Sequence, residues 1–93
     1  MAGGKTHNGI SEAVTWRKTG EEAVILNLET SEYYSANDTG TFIWELLSAG
    51  KQRAKVAEAL AAEYGITEEQ AALDTETFIE DLARLKILTQ EIK

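Results

Sequence analysis

Apolar residues alternate with polar ones over the first third of the chain and recur at steps of three and four over the rest. Period two marks strands and period 3.6 marks helices, so the pattern predicts strands first and helices after. Val14 and Trp16 stand against Thr15 and Arg17, which predicts a strand near 13–18. Lys18-Thr19-Gly20-Glu21 follows as a hairpin turn, with glycine supplying the positive φ that such turns use. Over 23–28, Val24, Leu26 and Leu28 alternate with Ile25 and Asn27, so one face of a second strand is continuously apolar. Glu29-Thr30-Ser31 turns the chain into a third strand near 32–36, where Tyr33-Tyr34 has strong β propensity. The expected product is an antiparallel meander with 23–28 in the middle. Its third strand has one paired side, and the other side is open.

Three helical stretches follow. Asn37 and Asp38 are candidate N-caps for a helix over 38–48, with Phe42, Ile43, Leu46 and Leu47 on its buried face and Gly50 beyond its end. A second helix over 52–64 places Val56, Ala57, Leu60, Ala61 and Tyr64 on one side, and Gly65 closes it. Thr67-Glu68-Glu69-Gln70 fits a capping box, in which Gln70 would reach back to the Thr67 N–H. A third helix then runs over 68–86. Steps of 100° put Ala71, Thr75, Phe78, Leu82 and Leu85 on one stripe. Asp74 and Asp81 border it on one side, and Ala72, Ile79 and Ala83 on the other; Leu73 points away and is expected to be exposed. Ile87-Leu88-Thr89 is a short tail expected to pack back on the core.

Three strands and then three helices in 93 residues predict one α+β domain of winged helix-turn-helix-like architecture over 12–93, after a flexible N-terminus over 1–11. Composition narrows the function. Cysteine is absent, which removes disulfides, thiolate metal sites and cysteine nucleophiles from this chain. No apolar run approaches the roughly 20 residues of a membrane span, and the first residues lack a signal-peptide core, so a cytoplasmic monomer with no membrane contact is expected. The net charge is −7, from 16 acids against nine bases. That sign opposes a phosphate backbone.

The candidate chemistry is thin. His7 is the only histidine, and it has no orienting partner in the sequence around it. The acid pairs Glu21-Glu22, Glu68-Glu69 and Glu80-Asp81 fit a turn, a helix N-terminus and a solvated flank better than a metal site. No G-x-x-x-x-G-K-[ST] phosphate loop exists. The chain is therefore expected to be no enzyme and to hold no cofactor or metal. Winged helices commonly read DNA, which makes a nucleic-acid-binding or transcription-regulatory domain the alternative. A recognition helix needs basic and amide side chains near its start. The third helix instead opens with Glu68, Glu69 and Asp74, and the second offers only Lys51, Arg53 and Lys55. Nucleic-acid binding is disfavoured.

The open strand is the more informative feature. A peptide can add to it as a further strand, through main-chain bonds on Tyr33, Tyr34, Ser35 and Ala36. Tyr33 and Tyr34 point to opposite faces, so only one of them can be core.

The runs VILNLETSEYYSANDTGTFIWELL and VAEALAAEYGITEEQAALDTETFIEDLARLKILT resemble the PqqD-like RiPP recognition elements over about residues 12–89. The specific parts are Tyr33-Tyr34, the block from Asn37 through Thr39-Gly40 and Ile43-Trp44 to Leu47, and the spacing of Phe78, Leu82 and Ile87-Leu88. Ala36 stands where the family often has a larger aliphatic, and Lys86 where it often has glycine. The resemblance implies a non-catalytic peptide chaperone in RiPP biosynthesis. It would take the leader of a ribosomally made precursor as an added strand on the third strand, in a groove completed by the third helix, with Phe78 and Leu85 as an apolar floor, Asp74 and Asp81 on the rim, and Ala72, Ile79 and Ala83 as the alternative wall. It also implies a separate enzyme partner, either a leader protease of lasso-peptide type or a radical-SAM enzyme of the kind that serves pyrroloquinoline quinone.

Overall fold

The computed structural model describes residues 6, 7, 9–89 and 92. A short antiparallel ribbon, β1 (Thr6–His7) with β2 (Ile10–Ser11), precedes the main sheet. The sheet is a meander in the order β3 (Val14–Thr19), β4 (Glu22–Asn27) and β5 (Tyr33–Ala36). Helices α1 (Asp38–Ser48), α2 (Arg53–Tyr64) and α3 (Glu68–Arg84) follow. The expected α+β order of three strands and three helices is observed. The ribbon is an addition, and it bears on the flexible N-terminus expected over 1–11. Residues 9–11 are tied to the C-terminal tail: the Ser11 N–H donates to the Ile87 carbonyl at 3.1 Å and the Thr89 N–H to the Gly9 carbonyl at 2.9 Å. Residues 1–5 and 8 lie outside the described residues.

The helix caps follow from local chemistry. Asn37 accepts from the Gly40 N–H at 2.9 Å and starts α1. Thr67 accepts from the Gln70 N–H at 3.0 Å and starts α3. The capping box is only half made, because the Gln70 side chain donates to Asp74 at 2.8 Å and does not reach back to Thr67. The third helix also stops two residues short of the expected 86. Lys86 adopts a left-handed φ of 60°. Its N–H donates to the Ala83 carbonyl at 3.0 Å, and the Ile87 N–H to the Leu82 carbonyl at 2.9 Å. That bond pair is a Schellman ending, built here on a lysine where glycine is the low-strain residue. Lys86→Gly is therefore expected to stabilise the fold by about 0.5–1 kcal/mol, read as a higher urea midpoint with an unchanged slope.

In β4 the burial runs against the apolar alternation. Its apolar stripe, Val24 with Leu26 and then Leu28, lies on the outer face of the sheet, with Val24 43% and Leu28 62% exposed. Ala23, Ile25 and Asn27 face the helices instead. The physical reason is Asn27, which is 1% exposed and fully bonded. Its Nδ2 donates to the carbonyls of Leu85 (3.2 Å) and Lys86 (3.1 Å), while its Oδ1 accepts from the N–H groups of Glu29 (2.9 Å) and Thr30 (3.3 Å). One amide thus holds the β4–β5 turn and pins the end of α3 to the sheet. No apolar residue could satisfy those four groups.

Ile25, Ile43, Trp44, Leu47, Leu60, Ile79, Leu82 and Ile87 are fully enclosed between the sheet and the three helices. Trp16 covers Trp44 edge to face at 5.9 Å, and Phe42 meets Tyr64 in the same way at 5.8 Å. Ile87 and Leu88 pack back onto the core as the sequence predicts.

Candidate peptide-binding site

Strand β5 is an edge. Its register pairs Tyr33 with Leu26, Tyr34 with Ile25, Ser35 with Val24 and Ala36 with Ala23. No strand lies on its other side among the described residues. An antiparallel ladder uses alternate residues on each side, so the remaining N–H and C=O groups of β5 face outward.

Alternation also divides the tyrosines. Tyr33 shares the outer face with Leu26 and is 65% exposed. Tyr34 shares the inner face with Ile25, and its ring meets Phe78 of α3 edge to face, with centroids 5.7 Å apart and planes at 89°. That aromatic pair closes the bottom of an open cleft of about 460 Å³, bounded by β5, the start of α1 and α3.

Of the residues expected to form the site, Tyr34, Asp74, Phe78 and Asp81 line this cleft together. Ala36 is buried beneath it, and its Cβ lies 3.3 Å from where a Cβ on Gly40 would be. Leu85 is half-buried and packs on the core, outside the cleft lining. Tyr33 and Ser35 are exposed and do not line it either. On the other flank of α3, Ile79 is fully buried in the core, and Ala72 borders a separate cleft with Glu69 and Glu76.

Sequence reasoning missed Leu73 and Thr77 as part of this lining. Leu73 is 61% exposed, as its helical phase predicts, but it stands at the mouth of the cleft. A lone exposed leucine is unremarkable on phase alone; here Leu73 lies next to Asp74 on the helix edge that borders the opening. Gly40 has a plainer signal. It sits in the first turn of α1, and an added Cβ would lie 3.3 Å from Phe78 Cε1. Its lack of a side chain leaves that side of the cleft open.

The rim is acidic. Asp74 accepts from Gln70, and Asp81 meets Arg84 at 3.3 Å near the surface. No Lys or Arg lines the cleft. Burial raises the Tyr34 phenol above its ordinary value of 10.0, and the Asp81 charge raises it further. A phenol whose pKa is higher when folded stabilises the fold fully below its unfolded pKa and loses that contribution as pH rises through the folded one. Above pH ~10, thermal stability is therefore expected to fall more steeply in the wild type than in Tyr34→Phe. Melting curves across pH 9–12 check this; parallel curves for the two proteins contradict it.

No group of three or more His, Cys, Asp or Glu able to hold a metal is found among the described residues. No helix among them is long and apolar enough to cross a membrane. What the arrangement offers is main-chain pairing at an edge beside an aromatic-floored, acid-rimmed cleft.

Comparison with known proteins agrees with this geometry. TbiB1 in complex with the TbiA(beta) leader peptide superposes with a TM-score of 0.84 at 31% identity, covering 90% of this chain and 98% of that one. Lasso peptide synthetase B1 complexed with the leader peptide superposes at 0.74 with 25% identity, covering 85% and 92%. No curated protein matches the chain. Residues 22–88 match the family model described as coenzyme PQQ synthesis protein D (PqqD), a span that takes in β4, β5, all three helices and every residue lining the cleft. The chain belongs to the PqqD family, as a PqqD-like RiPP recognition element.

Proposed function

We propose that this protein binds the leader region of a ribosomally made precursor peptide as an added antiparallel strand on β5, and presents it to a separate enzyme. One observation carries the reading: the unpaired edge of β5 runs beside the Tyr34–Phe78 cleft. Two solved structures that this fold matches hold leader peptides. Main-chain bonds along the edge supply affinity with little sequence demand, and alternate peptide side chains enter the cleft and supply specificity. Affinities of this kind run from micromolar to nanomolar, about −8 to −12 kcal/mol.

The binding domain spans 12–93, and the peptide contacts are the main chain of Tyr33–Ala36 with Tyr34, Asp74, Phe78 and Asp81 around the cleft. The protein's role is non-catalytic. The enzyme it serves is a leader protease or a radical-SAM maturase; the resemblance to lasso-type relatives supports the former. The nucleic-acid alternative loses support, because α3 exposes Glu68, Glu69 and Glu80 on a chain of net charge −7.

The test is an HSQC titration with the leader of the precursor encoded beside this protein. Shifts concentrated in 32–40 and 73–81 are expected. Shifts confined to 51–64 would overturn the site, and none at all would overturn the function. Asp81→Lys is the specific probe of the rim, since Asp81 is partly exposed and, among the described residues, its side chain bonds to the exposed Arg84. It is expected to leave the fold intact and to weaken leader binding by about 1 kcal/mol or more, measured calorimetrically against the wild type.

A further inference from the structure

The core does not account for the most regular apolar pattern in the chain. Val24, Leu26 and Leu28 turn outward, and Tyr33 stands beside Leu26 on the same face. Leu28 and Tyr33 are each more than 60% exposed (62% and 65%), and Val24 is 43% exposed. Three aliphatics in register with an aromatic form a contiguous patch on a sheet face that no helix covers. Such a patch on a small soluble domain marks an interaction surface. Its surroundings are charged: Glu22 lies on this face opposite Thr19, Arg17 lies on it opposite Val24, and Glu29 and Glu32 flank the β4–β5 turn, so acids outnumber bases three to one. None of these three carboxylates has an ion-pair partner among the described residues.

We infer that this outer sheet face docks the separate enzyme that processes the precursor, through an aliphatic patch on that enzyme flanked by Lys or Arg. The inference rests on the leader-binding reading above. Two features select this occupant. The first is continuity: Tyr33 and Tyr34 are neighbours on one strand, with Tyr34 in the cleft and Tyr33 on the outer face. A protein seated on the outer face therefore lies alongside a peptide held on the β5 edge without entering the cleft. The second is charge. A second copy packed face to face would set three carboxylates and one guanidinium, Arg17, against the same set, a net like charge on chains of −7 each. A basic rim on a different protein pairs with them instead.

The experiment uses the double variant Val24→Thr with Leu28→Lys. Both positions are exposed, and threonine keeps the β preference of the strand. The probes are the leader peptide and the purified enzyme encoded with the precursor. Each is titrated against wild type and variant by calorimetry, with and without the other, at two salt concentrations. The variant is expected to bind the enzyme at least tenfold more weakly while its leader affinity changes less than twofold. Wild-type binding of the enzyme is expected to weaken with salt. Unchanged enzyme affinity in the variant overturns the inference, as does a parallel loss of leader affinity. A wild-type dimer in sedimentation that the variant dissolves also overturns it, since the face then belongs to a second copy. A wild type that fails to bind leader overturns the function proposed above, and enzyme binding to the leader-free protein still tests the face separately.

Discussion

Replacing Asn27 with leucine is expected to cost about 2–4 kcal/mol of stability, although leucine is the more hydrophobic residue. The substitution removes both donors from the carbonyls of Leu85 and Lys86, and the acceptor from the N–H groups of Glu29 and Thr30. The position is 1% exposed, so water cannot simply take over at the carbonyl side. Leaving a buried polar group unpaired costs about 1–3 kcal/mol, and the turn at 29–30 is exposed enough to recover part of its share. Asn27→Asp separates the two halves. It keeps the acceptor for the turn but loses the donors and sets a carboxylate against two carbonyl oxygens. Urea unfolding of both variants is the measurement. A loss below about 1 kcal/mol for leucine would mean that the end of α3 does not depend on this amide. Because Asn27 joins the sheet to the end of α3, it also sets the spacing between β5 and the helix that walls the cleft.

Gly40→Leu is expected to weaken leader binding about 100-fold, close to 2.7 kcal/mol, while the helices remain formed. A Cβ at this position already lies 3.3 Å from Ala36 Cβ and from Phe78 Cε1. The larger branch would therefore extend into the open cleft over the Tyr34–Phe78 pair. Gly40→Ala is the control. Alanine gains up to about 1 kcal/mol of helix preference over glycine, against two contacts that must give by a few tenths of an ångström. Circular dichroism establishes that both variants fold, and calorimetric titration reads binding. Wild-type affinity in a folded Gly40→Leu would show that the peptide bypasses the cleft.

Much of the fold was legible because its signals are local. Asn37, Thr67, Gly50 and Gly65 each act on groups within a few residues, and α1 runs over the expected 38–48. The open edge of β5 was legible too, since a meander of three strands leaves its third strand unpaired on one side. The lining of the cleft was legible in part. Helical phase set Asp74, Phe78 and Asp81 along one side of α3, and Leu85 followed from the same stripe. Leu85 lies past the last helical residue, Arg84, and the chain turns there into the Lys86 ending, so the phase no longer applies.

Alternation along 23–28 stated that this segment is a strand with two unlike faces, and nothing in it stated which face turns inward. Hydrophobicity alone favours Val24, Leu26 and Leu28 as the buried set. The tertiary structure chose Ala23, Ile25 and Asn27, because the ends of α3 and of the β4–β5 turn present four main-chain groups to one point, and only a side-chain amide answers all of them. The N-terminal ribbon was decided the same way. Residues 9–11 are too short a run to carry a pattern, and main-chain groups of Ile87 and Thr89, far along the chain, hold them in place. The sequence by itself determined the period, length and order of the elements, since these depend on neighbours within a turn or two. The inward face of β4, the anchoring of residues 9–11 and the opening of the cleft at Gly40 were settled only where distant segments meet.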